Sequence, residues 1–161
     1  MSSVKLLVSD VVTVVLVATV AVVTGCATCP RSGRQGALLL EVAHVEGGEG
    51  PLIDQLRVYE SGVLELEHVG EATRCAPADS APVSELRAYL ISEQFTQLAR
   101  QLTTQGRRCC DREEAAVRYG GNAFFVAIDE IPEGLRPLFT TLDALYRDAF
   151  GRAYSMPFIR K

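Results

Sequence analysis

Apolar positions along this chain change their period several times, and each change marks an element. From Val11 to Val23 they form one tract of 13 positions, interrupted only by Thr13 and Thr19. Ala37 to Val45 is rich in Leu and Val and begins to alternate at Glu41, which predicts a strand. Leu56–Glu60 and Val63–Glu67 alternate with period two about Ser61-Gly62, the pattern of a hairpin whose Leu56, Val58, Leu64 and Leu66 share one face. Leu86-Arg87-Ala88-Tyr89-Leu90 reads as a fourth strand by the same alternation. Phe95, Leu98, Ala99 and Leu102 then recur at i, i+3, i+4 and i+7, one stripe of an amphipathic helix. Ser92 is placed as its N-cap, and Gln105-Gly106 ends it. Ala115-Val117-Tyr119 and Phe124-Val126-Ile128 flank Gly120-Gly121-Asn122 as a second hairpin. Leu138, Leu142, Leu145 and Ala149 give a last helix its buried face; Pro132 and Pro137 mark its entry and Gly151 its end.

Short connections imply antiparallel pairing, because parallel neighbours need a long crossover. The expected fold is therefore α+β: an antiparallel sheet of about five to six strands with two amphipathic helices packed on one face. The polar stretches Glu46–Pro51 and Gly70–Pro82 are expected to be loops.

A retained transmembrane anchor over Leu6–Val23 is the disfavoured alternative, because a span takes about 20 apolar residues and Asp10 interrupts these 18. The 13-residue tract from Val11 to Val23 fits the ~7–15 residues of a signal h-region. Lys5 precedes it and Val23-Thr24-Gly25-Cys26 closes it. An apolar residue, a small one, Gly and then Cys at that point resembles a bacterial lipoprotein signal. The resemblance implies cleavage before Cys26, a diacylglycerol on its sulfur, and anchoring of the mature N-terminus in a membrane. Ala27 after the lipidated Cys implies the outer membrane, facing the periplasm. The expected organisation is a signal peptide over 1–25, a lipidated flexible tether over 26–36, one globular domain over 37–151 and a C-terminal tail over 152–161. Loss of the signal leaves 136 of 161 residues, enough to bury a core.

Five cysteines stand at 26, 29, 75, 109 and 110. With Cys26 acylated the other four form a disulfide-compatible set, and an exported compartment permits such bonds. Adjacent Cys109 and Cys110 are poorly spaced to bond each other. The favoured pairing is Cys75 with Cys109 or Cys110, Cys29 taking the other or staying reduced. A zinc set built on Cys26, Cys29, Cys109 and Cys110 is the disfavoured alternative, since acylation consumes Cys26.

The formal charge of −4 is spread along the chain, so no nucleic-acid partner is expected. No nucleophile elbow, zincin helix, phosphate loop or dinucleotide fingerprint occurs, and neither a catalytic residue nor a cofactor is assigned. His44 and His68 are the only histidines. Each lies near the end of a predicted strand, where the two can meet over a metal or a proton. Gly47, Gly48, Glu49 and Gly50 form a candidate binding loop.

A strand followed by the Gly47-Gly48-x-Gly50 loop, a hairpin turning at Gly62, a helix, a second hairpin and a closing helix resembles emfourin, a small bacterial inhibitor of thermolysin-type metallopeptidases. The likeness is one of layout from Leu38 to about Phe150. It implies peptidase inhibition as an alternative to the leading expectation, a non-catalytic envelope lipoprotein that binds a protein partner. A metal-binding or enzymatic domain using His44 and His68 is the third reading.

Overall fold

The computed structural model describes Cys29 and residues 36–46, 52–105 and 112–151. The elements in chain order are β1 (Leu38–Val45), β2 (Leu52–Tyr59), β3 (Val63–His68), β4 (Arg74–Pro77), α1 (Ser80–Leu90), α2 (Glu93–Gln105), β5 (Glu114–Tyr119), β6 (Asn122–Ala127) and α3 (Arg136–Phe150). Two short 3-10 turns, Ile128–Glu130 and Glu133–Leu135, lead from β6 into α3. All neighbouring strands are antiparallel in one sheet of order β4-β3-β2-β1-β5-β6. The α+β class and the antiparallel six-strand sheet are as the sequence predicts.

Both hairpins turn where their glycines allow. Leu56 faces Leu66 and Val58 faces Leu64 across the first. At the second, Gly120 and Gly121 both take positive φ, 54° and 84°, the handedness that suits a two-residue connection between right-twisted strands. Ser92 caps α2 as expected, its Oγ accepting the Phe95 N–H at 3.2 Å. Phe95, Ala99 and Leu102 are the buried stripe of that helix. Pro137 sits in the first turn of α3, and Gly151 closes it in the left-handed region with its N–H on the Arg147 carbonyl.

Two segments differ from the expectation. Residues 86–90 are the second half of α1, so three helices cover the sheet where two were predicted. Leu86, Ala88 and Leu90 satisfy period two, but Val83, Leu86 and Leu90 also form a helical stripe, and those three are the buried ones. Pro82 lies in the first turn, where it costs little. The strand displaced from 86–90 appears within the expected Gly70–Pro82 loop as β4, paired with β3 through Val63–Pro77, Leu64–Ala76, Glu65–Cys75 and Leu66–Arg74.

The core lies between the helices and the sheet face carrying Leu40, Val42, Leu56, Val58, Leu64 and Val117. Phe95 sits at its aromatic centre, with ring centroids 5.3 Å from Tyr89, 5.5 Å from Tyr119 and 6.3 Å from Phe124. Strand β1 is buried on its other face as well: Leu39, Glu41 and Ala43 are all below 9% exposed.

A carboxylate in that position needs charge compensation, and a row across the sheet supplies it. Glu41 lies opposite Arg118 on β5 and Arg57 on β2, and Arg57 lies opposite Glu65 on β3. Arg57 Nε donates to Glu41 at 3.1 Å and Arg118 Nη1 donates to the other Glu41 oxygen at 2.6 Å. Arg57 also donates to Glu65 and Gln55, and at 3.3 Å to Glu67. Tyr59 Oη donates to Glu65 at 3.0 Å. Burial works against the charge on Arg57, but its hydrogen bonds to Glu41 and Glu65 outweigh that and raise its pKa above the ordinary guanidinium value. Removing Arg57 leaves two carboxylates half-compensated, so Arg57→Ala is expected to cost about 2–3 kcal/mol in urea unfolding. Arg57→Lys, which keeps the charge without the planar fork, is expected to lose less; equal loss in the two variants would mean that the fork carries the effect.

Candidate functional site

The two histidines come together on the helix-side face at the end of the sheet opposite the β2–β3 turn. β1 places His44 opposite Asp54 on β2, and β2 places Asp54 opposite His68 on β3. The three side chains therefore form a row perpendicular to the strands, on positions that carry Leu and Val one step deeper. His44 is 5% exposed and flanked by two acids: Nδ1 is 3.9 Å from Asp54 Oδ2 and Nε2 is 3.5 Å from Glu113 Oε2. His68 Nδ1 lies 2.5 Å from Asp54 Oδ1. An ionised carboxylate can only accept, so Nδ1 of His68 carries the proton.

Asp54 and Glu113 have no sequence motif to announce them. A signal for Asp54 exists in the hairpin: extending the Leu56–Leu66 pairing by two residues sets Asp54 against His68. Glu113 is held just before β5, where its carbonyl accepts the Ile128 N–H at 3.0 Å.

The hydrogen bond that His68 donates to Asp54, and then the Asp54 charge, raise the pKa of His68 above the usual 6.5. His68 thus holds its proton against Asp54 below its raised midpoint and releases it as pH rises through that midpoint. A metal would require ligand atoms gathered about one point. Among the described residues the only three ligand-type side chains with donor atoms all within 4.8 Å of one another are Cys29, Glu65 and Cys75. Two of those sulfurs are joined in a disulfide, which leaves no thiolate to bind an ion.

That disulfide corrects the expected pairing. Cys75 is bonded to Cys29, with Cα atoms 5.2 Å apart, rather than to Cys109 or Cys110. Strand β4 turns Cys75 onto the Glu65 face of the sheet, and it is residue 29 that meets it there. Cys26, Cys109, Cys110 and the candidate loop Gly47, Gly48, Glu49 and Gly50 lie outside the described residues, as do most of the tether and the tail after Gly151. The two ends of the loop are fixed: Val45 pairs with Leu52, next to the histidine row. No helix among the described residues is long and apolar enough to cross a membrane.

Compared with known proteins, the chain matches no family model and no curated sequence.

The row makes a pH-linked prediction. Because the folded-state pKa of His68 exceeds its unfolded value near 6.5, the pair with Asp54 stabilises the fold fully below about pH 6.5, and that contribution is lost as pH rises through the folded value. Asp54→Asn is expected to return the His68 NMR titration to an ordinary midpoint and to flatten stability against pH above 6.5. An unchanged titration in that variant would show that Asp54 does not set the His68 proton.

Proposed function

We propose that the chain is a lipid-anchored protein of the bacterial cell envelope whose folded domain acts by binding a protein partner rather than by catalysis. The observation that carries this reading is Cys26 at the end of a signal-length apolar tract, preceded by Val23-Thr24-Gly25. The Cys29–Cys75 disulfide supports it, since a bond of that kind persists in oxidising, exported compartments. The partner-binding surface is the sheet end that gathers the His44–Asp54–His68 row and the connection between β1 and β2. Connections of this kind, set on a rigid sheet, are where recognition residues concentrate. By the outer-membrane reading of Ala27, the domain faces the periplasm.

The test is metabolic labelling with a palmitate analogue in a bacterial host, followed by membrane fractionation. Wild-type protein is expected to incorporate label and sediment with membranes, and Cys26→Ser is expected to lose both properties. Label retained by Cys26→Ser, or absent from wild type, removes the anchoring half of the proposal.

The emfourin resemblance supplies one class of partner, a secreted thermolysin-type metallopeptidase. Inhibition of such an enzyme by purified domain supports that class, and full enzyme activity at a large molar excess of domain removes it.

A further inference from the structure

Lipid anchoring at Cys26 and the disulfide at Cys29 together fix how the domain meets its membrane. From Cys26 to Cys29 the chain advances three residues, a reach of at most ~11 Å for fully extended backbone. Cys29 is bonded to Cys75 in the middle of β4, one of the two edge strands of the sheet. The next described residues after Cys29 are Gly36 and Ala37, where the Ala37 carbonyl accepts the Glu60 N–H beside the β2–β3 turn. That point is ten residues from Cys26, a reach of at most ~36 Å. The disulfide therefore sets an attachment at less than a third of that covalent length, on the β4 edge.

We propose that the outer edge of β4 is the surface that rests on the headgroup layer of the anchoring membrane, that the β6 edge points away from it, and that the sheet end carrying His44 and Asp54 stays open to the aqueous phase. This placement rests on lipidation of Cys26. The two edges are separated by five strand spacings, about 24 Å. Strand β4 suits such a position: it is only four residues long and ends in Pro77, features that keep an edge from pairing with other strands. The β6 hairpin and the helix packed on it, together with the sheet end carrying His44, are then presented to the aqueous phase.

The chain contains no Trp, so a single introduced indole reports unambiguously. Full-length lipidated protein carrying either Ala72→Trp, beside β4, or Asn122→Trp, at the β6 hairpin, is reconstituted into phosphatidylcholine vesicles containing a dansyl-headgroup lipid. Energy transfer is expected to be at least about twofold more efficient from the Ala72→Trp protein, given the ~24 Å between edges. In the Cys29→Ser, Cys75→Ser background, the efficiency at Ala72→Trp is expected to fall by about half as the spacer lengthens. Equal transfer from the two reporters in lipidated, disulfide-bonded protein overturns the placement while leaving the anchor intact. Mass spectrometry of the same preparation separates the other failure: an N-terminal peptide without lipid on Cys26 overturns the anchoring reading and the placement with it.

Discussion

The sheet is organised around one buried charge. Strand β1 is central and covered on both faces, yet it carries Glu41 at its middle. A lone carboxylate there would cost several kcal/mol, so the neighbouring strands must bring cations to it in register. Arg118 and Arg57 do so from either side, and Glu65 and Glu67 then balance Arg57. A slip of one residue in β2 or β5 would turn its arginine to the helix-covered face and strand Glu41. Hydrophobic alternation favours the same register, so the polar and apolar faces agree on one pairing.

The next position in that row is Cys75, opposite Glu65, and with it the Cys29 disulfide. One line of cross-strand neighbours thus runs from Arg118 on β5 to the covalent attachment of the N-terminal segment on β4. Three residues further along β1, on the other face, the second polar row begins at His44. The two rows divide the labour of the proposed function. The charged row and its disulfide fix the sheet and its attachment, and the histidine row lies at the sheet end where connections and rim side chains are available to a partner.

Much of the fold was legible in the chain because its strongest signals are local. Ser61-Gly62 and Gly120-Gly121 announce their hairpins, Ser92 its helix, and Gly151 the end of the last one. The failures share a cause in non-local structure. Residues 86–90 fit period two as well as period 3.6, and only packing of Val83, Leu86 and Leu90 into the core decides between them. Strand β4 has four residues with little strand character, and exists through its pairing with β3. The disulfide partner of Cys75 depends on which segment crosses the Glu65 face, a fact no spacing encodes. His44 and His68 were visible as candidates, whereas Asp54, which joins them, sits in a part of β2 that its own residues do not mark as a strand.

The central claim is that the mature chain begins at a lipidated Cys26 and is fastened three residues later to the sheet. Non-reducing digestion and mass spectrometry of the protein extracted from native membranes test this directly. The account predicts no peptide from residues 1–25, an N-terminal Cys26 carrying a diacylglycerol mass, and Cys29 linked to Cys75. An unmodified chain beginning at Met1, or Cys75 linked to Cys109 or Cys110, would contradict it.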